Sequence, residues 1–281
     1  MSGSPRRVAH LGPSGTNTEV AARLYDPGAE LHPAQTVAAA VEVVEHGEAD
    51  VAVCAIENSI EGGVTETLDQ LLRDDASLLI CGEVVLPIRH ALVGAPGIEI
   101  ARARTVYSHP QALAQCRGRL RDLVPDATPV AALSTVAAIE DAIGEPGAVA
   151  VSNELAASLH NATVYAADIG DERGNETRFV ALAARDREPT GDDKTSLVFT
   201  TQHDRPGSLA EVLRQLGERE INMTHIESRP TRRQLGTYVF LVDFQGHRAD
   251  PLIAGALEDL ESVTLWLRVL GSYPRWTGPG A

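Results

Sequence analysis

Only three cysteines occur in 281 residues, Cys54, Cys81 and Cys116, an odd and scattered set with no CxxC spacing. That argues against a disulfide framework or a clustered zinc site and leaves buried, reduced thiols as the expectation. Apolar runs of the length a membrane span needs, about eighteen residues, are missing too. The polar, basic stretch Met1–Arg7 leads straight into a strand-like Val8–Leu11 with no signal-peptide core, so a soluble, cytoplasmic protein is expected. Basic charge is also short: 24 Lys and Arg stand against 39 Asp and Glu, a formal net charge of −15. This balance disfavours nucleic acid and anionic membrane surfaces as partners. It also means that an anionic substrate must be held by local donors, arginines and helix N-termini.

What is present suits a globular chain of two domains, with 43% hydrophobic and 22% charged residues. The first part alternates strand and helix signals. In Thr36–His46 the apolar Val37, Ala40, Val41 and Val44 fall on one helical face that Thr36 can cap. Asp50–Ile56 is a continuous apolar run, as expected of a buried strand. Leu78–Gly94 is long and strand-rich, the expected crossing between two lobes. Beyond it come a strand at Thr105–Ser108, one helix over Pro110–Leu120, a strand at Pro129–Ala132, a helix opened by Ser134 and a closing strand at Arg178–Ala184. Repeated β-α-β with apolar strands predicts mainly parallel sheets covered on both faces. Residues 185–194, charged and carrying Pro189 and Gly191, read as a linker. After it the order becomes β-α-β-β-α-β, the ferredoxin-like arrangement, in about eighty residues. A loose tail follows Pro274.

Six stretches carry chemistry. Leu11-Gly12-Pro13-Ser14-Gly15-Thr16-Asn17-Thr18 joins a strand to a helix whose first N–H groups can hold an anion. It has neither GxGxxG nor a GK[ST] ending, so it is no nucleotide loop by spacing. Ile56-Glu57-Asn58-Ser59, before Gly62-Gly63, ends a buried strand in three polar side chains, where ligands of open α/β sheets sit. Tyr107-Ser108-His109-Pro110-Gln111 starts a helix that puts Gln111 and Gln115 on one face. Gly174-Asn175-Glu176-Thr177-Arg178-Phe179 opens a strand, so Thr177 and Phe179 point one way and Arg178 the other. If that strand is regular, Thr177 and Arg178 cannot both face a cleft: either the strand starts after Thr177 or Arg178 is structural. In the second domain, Asp204-Arg205-Pro206-Gly207-Ser208-Leu209 is a strand–turn–helix junction. Asn222 to Pro230, containing Glu227-Ser228-Arg229-Pro230, is a strand with a charged end. Read alone, each of these has a plain structural role.

In this order, from about Val8 to Pro274, the stretches resemble the prephenate dehydratase family with a C-terminal ACT domain. The resemblance implies an α/β catalytic domain over 7–185, two lobes like the type 2 periplasmic-binding fold, with the active site in the cleft between them. It implies a ferredoxin-like (βαββαβ) ACT regulatory domain over 194–274. The implied reaction is the decarboxylating dehydration of prephenate to phenylpyruvate in phenylalanine biosynthesis, a carbon–oxygen lyase step without metal or organic cofactor. The family's key catalytic threonine falls on Thr177. Substrate-binding roles fall on Thr16, Glu57, Asn58, Ser59, Ser108, Gln115, Arg178 and Phe179. Phenylalanine, the expected effector, would be bound by Gly207, Ser208 and Leu209 with Glu227, Ser228, Arg229 and Pro230, at a subunit interface of a homodimer or homotetramer.

The chain departs from the family pattern at three places. Asn17 stands where phenylalanine is usual, Cys54-Ala55-Ile56 replaces a Val-Pro-Ile ending, and Ser208 stands where alanine is common. Asn17 keeps one alternative open, a non-aromatising prephenate decarboxylase of specialised metabolism. A non-catalytic amino-acid sensor is a second alternative, against which the Thr177 motif speaks.

Overall fold

The computed structural model describes residues 5–201, 206–231 and 237–278. Lobe 1 starts with β1 (Arg7–Leu11), α1 (Asn17–Tyr25), β2 (Glu30–Ala34), α2 (Val37–Glu45), β3 (Val51–Asn58), the short β4 (Gly62–Gly63), α3 (Thr65–Leu71) and β5 (Leu79–Pro87). The chain crosses to lobe 2 with β6 (Ala91–Gly94) and continues through β7 (Thr105–Ser108), α4 (Pro110–Gln115), α5 (Arg117–Leu123), β8 (Thr128–Ala131), α6 (Ala137–Gly144), β9 (Ala148–Ser152), α7 (Glu154–Leu159) and β10 (Thr163–Ala166). It returns to lobe 1 as β11 (Glu176–Ala183). The C-terminal unit is β12 (Asp193–Thr201), α8 (Ser208–Glu218), β13 (Met223–Pro230), β14 (Tyr238–Gln245), α9 (Pro251–Val263) and β15 (Thr264–Pro274).

Local signals account for much of this. Thr36 Oγ1 accepts the Ala39 N–H and starts α2, whose Val37, Ala40, Val41 and Val44 are all buried. Thr16 and Asn153 cap α1 and α7 in the same way. Two expectations need correction. The sheets are mixed rather than mainly parallel: β2, β1 and β3 run parallel, but the returning β11 is antiparallel to both β3 and β5. In lobe 2, β6 is likewise antiparallel to β9 and β10. The helix expected over Pro110–Leu120 breaks at Cys116, because the Asp171 carboxylate accepts the N–H groups of Gly118 and Arg119 at 2.7 and 2.9 Å and starts a new helix there. All three cysteines are buried and unpaired. No helix among the described residues is long and apolar enough to cross a membrane.

The C-terminal sheet has the order β13-β14-β12-β15. One face is covered by α8 and α9 around Phe199, Phe244 and Leu260. The other is not free: Val198, Leu241, Leu270 and Tyr273 share a core with Ile80, Val180 and Leu182 of lobe 1. The contact is close enough that a Cβ on Gly271 would strike the Ile80 backbone. Residues 185–194 are accordingly more ordered than a free linker: Asp186 accepts the Ser272 N–H at 2.9 Å and holds Arg248 at 2.8 Å.

Candidate active site

The lobes meet around the start of β11. Thr177, 8% exposed, pairs with Asn58 of β3 across the sheet. This pairing depends on a β-bulge. Phe179 opposes Ala55 and Arg178 opposes Glu57, so Ile56 is an extra residue on β3. The extra residue inverts the alternation, turning Asn58 onto the face of Thr177 and Glu57 onto the opposite face with Arg178. Asn58 Nδ2 donates to Thr177 Oγ1 at 2.9 Å and to Asn175 Oδ1 at 2.8 Å. Asn175 Nδ2 donates to Gln115 Oε1 of lobe 2 at 3.0 Å.

The other expected residues separate into those near this cluster and those away from it. Ser59 lies beside it, its hydroxyl donating to Gly174 O and accepting the Glu176 N–H. Thr16 caps α1 and donates to Leu11 O at 2.9 Å, so its hydroxyl is used inside lobe 1. The turn it closes faces lobe 2, where Asn153 Nδ2 donates to Gly15 O at 2.8 Å and to Asn17 Oδ1 at 3.1 Å. Asn17 thus takes part in a polar contact between the lobes.

Four residues expected to bind substrate lie away from this cluster. Ser108 is fully buried and donates to Val151 O at 2.7 Å. Phe179 packs in the lobe 1 core with Val84 and Ala181. Glu57 and Arg178 lie on the far side of the sheet, at the junction with the C-terminal unit. There the Arg178 guanidinium approaches Asp243 at 2.7 Å, Glu57 at 3.1 Å and Glu83 at 3.5 Å. Because β11 already begins at Glu176, regular alternation makes Arg178 structural. Burial works against its charge, but Asp243, with Glu83 and Glu57, outweighs that and raises its pKa.

The effector segments are split in the same way. Gly207 is the left-handed N-cap of α8, ahead of Ser208 and Leu209; Asp204 and Arg205 lie outside the described residues. On β13, Ser228 and Pro230 are exposed, whereas Glu227 and Arg229 point at lobe 1. Arg229 pairs with Asp69 at 3.0 Å. The Glu227 carboxylate lies directly over Gly63, in the space a Cβ there would take.

His225 extends this junction, its Nδ1 3.2 Å from Glu57 Oε1. The hydrogen bond to His225, aided by Arg178, holds the Glu57 carboxyl at about 2, and the same bond raises the His225 pKa. His225 therefore adds stability fully below its ordinary 6.5 and loses it as pH rises through the higher folded value. Glu57 contributes above its ordinary 4.5 and is lost only as pH falls through about 2. Raising the pH from mildly acidic to mildly alkaline should lower the thermal midpoint, with a flatter slope in His225→Gln. Equal slopes would show that this pair does not hold the junction.

A recess lined by Pro87, Arg89, Arg119, Asp171, Arg173 and Asn175 opens beside the strands joining the lobes. It includes neither Thr177 nor Asn58 but shares Asn175 with their cluster. Asn175 and His90, whose Nε2 lies 2.9 Å from Gln115 Oε1, were not assigned from the sequence. Asn175 stood in a motif already singled out, and His90 is a polar residue within the apolar crossing segment.

Comparison with known proteins agrees with this architecture. Residues 8–187 match the family model for prephenate dehydratase, and residues 195–262 that for the ACT domain. The chain is 41% identical over 280 residues to the prephenate dehydratase of Amycolatopsis methanolica, covering 98% of this chain and 90% of the other. The crystal structure of the Arthrobacter aurescens prephenate dehydratase in complex with L-Phe superposes with a TM-score of 0.87 at 38% identity, over 98% of this chain and 92% of that one. A structure titled as GqqA, a novel type of quorum quenching acylase, superposes with a TM-score of 0.86 at 33% identity, over 97% and 99%. The two family matches, in this order and over nearly the whole chain, make the protein a member of the prephenate dehydratase family with a C-terminal ACT domain.

Proposed function

We propose that the chain converts prephenate to phenylpyruvate in the cleft between its lobes, with Thr177 as the donor to the departing hydroxyl. The observation that carries this is the bond from Asn58 Nδ2 to Thr177 Oγ1, in which the threonine oxygen is the acceptor. Its own proton stays available to a substrate, and accepting an amide bond strengthens the hydroxyl as a donor. Prephenate is a dianion. As the carboxylate on the ring leaves as carbon dioxide, its bonding electrons enter the ring, the C–O bond breaks and the oxygen departs as water. One proton is taken up per turnover. Hydroxide is a poor leaving group, so the donor acts in concert with C–O cleavage, and a catalyst of this kind contributes about 10²- to 10⁴-fold.

Asn58 and Gln115 hold the site around Thr177, and orientation of the substrate falls to the first turn of α1, with the N–H groups of Asn17 and Thr18, which have no intrahelical partners. Such local donors matter in a chain of net charge −15. Residues 7–185 form the catalytic part and 194–274 the regulatory part of this reading. For an acylase reading, prompted by one structural neighbour, neither Ser59 nor Ser108 is poised as a nucleophile, since both hydroxyls donate to carbonyl oxygens.

Phenylalanine is the effector in this reading, bound around Gly207 and Ser228 at a contact between copies in a homodimer or homotetramer. The exposed Leu265 and Trp266 on edge strand β15 support association. Glu227 and Arg229 give β13 a direct hold on lobe 1, so a shift of this strand reaches Glu57, the neighbour of Asn58. Phenylalanine should change the rate of prephenate turnover, with a coupling of about 1–3 kcal/mol. No change in rate together with no heat of binding would remove the regulatory part.

A further inference from the structure

The Thr177 hydroxyl is oriented by more than its immediate neighbour. Asn58 Oδ1 accepts the backbone N–H groups of Ile60 and Glu61, both at 3.0 Å. With its oxygen so engaged, Asn58 can present only its NH₂ group to Thr177 and Asn175. Asn175 must then accept with Oδ1 and donate with Nδ2, which it does to Gln115 Oε1 at 3.0 Å. Gln115 Nε2 donates to Glu61 Oε1 at 3.1 Å, which fixes the orientation of that amide as well. Its oxygen meets one more partner, His90 Nε2 at 2.9 Å. Two acceptors cannot bond, so His90 carries a proton on Nε2.

We propose that His90 is a positioning residue for the dehydration: by donating from Nε2 to Gln115 it holds the Gln115 oxygen where that oxygen accepts from Asn175, and so keeps Asn175 and Asn58 in place against the Thr177 hydroxyl. The inference rests on the reading of Thr177 as donor. A displaced Asn175 would leave Asn58 free to shift, and the Thr177 hydroxyl would lose its fixed place. His90 is well placed for this task, since it lies in the crossing from β5 to β6, is 7% exposed, and accepts the Ile169 N–H at its carbonyl at 2.9 Å. Gln115 belongs to lobe 2 and Asn58 to lobe 1, so the chain of bonds also ties the lobes together at the cleft. Burial lowers the His90 pKa against the opposing bond to Gln115, which favours a neutral ring with a single N–H.

The test compares His90→Gln, which can offer an amide N–H near the same point, with His90→Leu, which offers none. His90→Leu should lose about 10- to 10²-fold in kcat with KM nearly unchanged, and His90→Gln should recover most of that loss. Long-range ¹H–¹⁵N NMR of the wild-type protein should show the ring absent from His90→Gln as the Nε2-protonated tautomer, a reading that needs no folded His90→Leu. Equal activity losses in both variants, no loss in either, or an Nδ1-protonated ring would overturn the proposal. A wild-type protein that still makes phenylpyruvate in those cases keeps the dehydratase reading, whereas one that does not removes both.

Discussion

Thr177→Ala should lower kcat by about 10²- to 10⁴-fold while KM stays near its wild-type value. The hydroxyl acts on an oxygen that carries developing negative charge only as the C–O bond breaks, so its loss is felt in the transition state. Thr177 is nearly buried and loses only a hydroxyl and a methyl group, so the fold should tolerate alanine. Thr177→Ser, which keeps the hydroxyl, should retain much more activity than alanine. Steady-state kinetics on the three proteins decide the matter. Near-normal turnover by the alanine variant would mean that another group supplies the proton.

Arg178→Met should act on stability instead. Glu83 and Asp243 are each 1% exposed and would lose the guanidinium between them, although Lys194 Nζ still holds Glu83 at 2.8 Å. Breaking a buried pair from one side costs about 3–5 kcal/mol, because the remaining charge stays buried. At about 2–4 °C per kcal/mol, the thermal midpoint should fall by roughly 6–20 °C. Where the variant is folded, KM for prephenate should change little. A KM raised a hundredfold with an unchanged midpoint would return Arg178 to the role of carboxylate holder in the cleft.

These two neighbours show where the sequence could be read and where it could not. Strand alternation already set Thr177 against Arg178, and the start of β11 at Glu176 decides between the two outcomes it allowed. The cap at Thr36 and the buried run of β3 are local, and the helix and strand form where those signals lie, whereas α6 starts at Ala137, two residues later than Ser134 suggests. The face that Glu57 takes is not legible, because nothing local marks Ile56 as a bulge; the bulge exists only in the pairing with β11. The ion pairs of Arg178 are not legible in the sequence, because its partners, Glu83 and Asp243, are distant in the chain and meet only when the C-terminal sheet docks on lobe 1. Strands β2 and β10 went unread as edge strands with mixed burial, and β2 carries Pro33. The break at Cys116 depends on Asp171, more than fifty residues later in the chain. Local chemistry was legible; contacts made by docking were not.

The most direct measurement is to incubate the purified protein with prephenate and identify the product by absorbance and mass. Phenylpyruvate is the expected product, with carbon dioxide released and one proton consumed per turnover. A non-aromatic decarboxylated acid that keeps its hydroxyl would contradict the dehydratase reading and make Asn17, bonded to Asn153 of lobe 2, the first position to change.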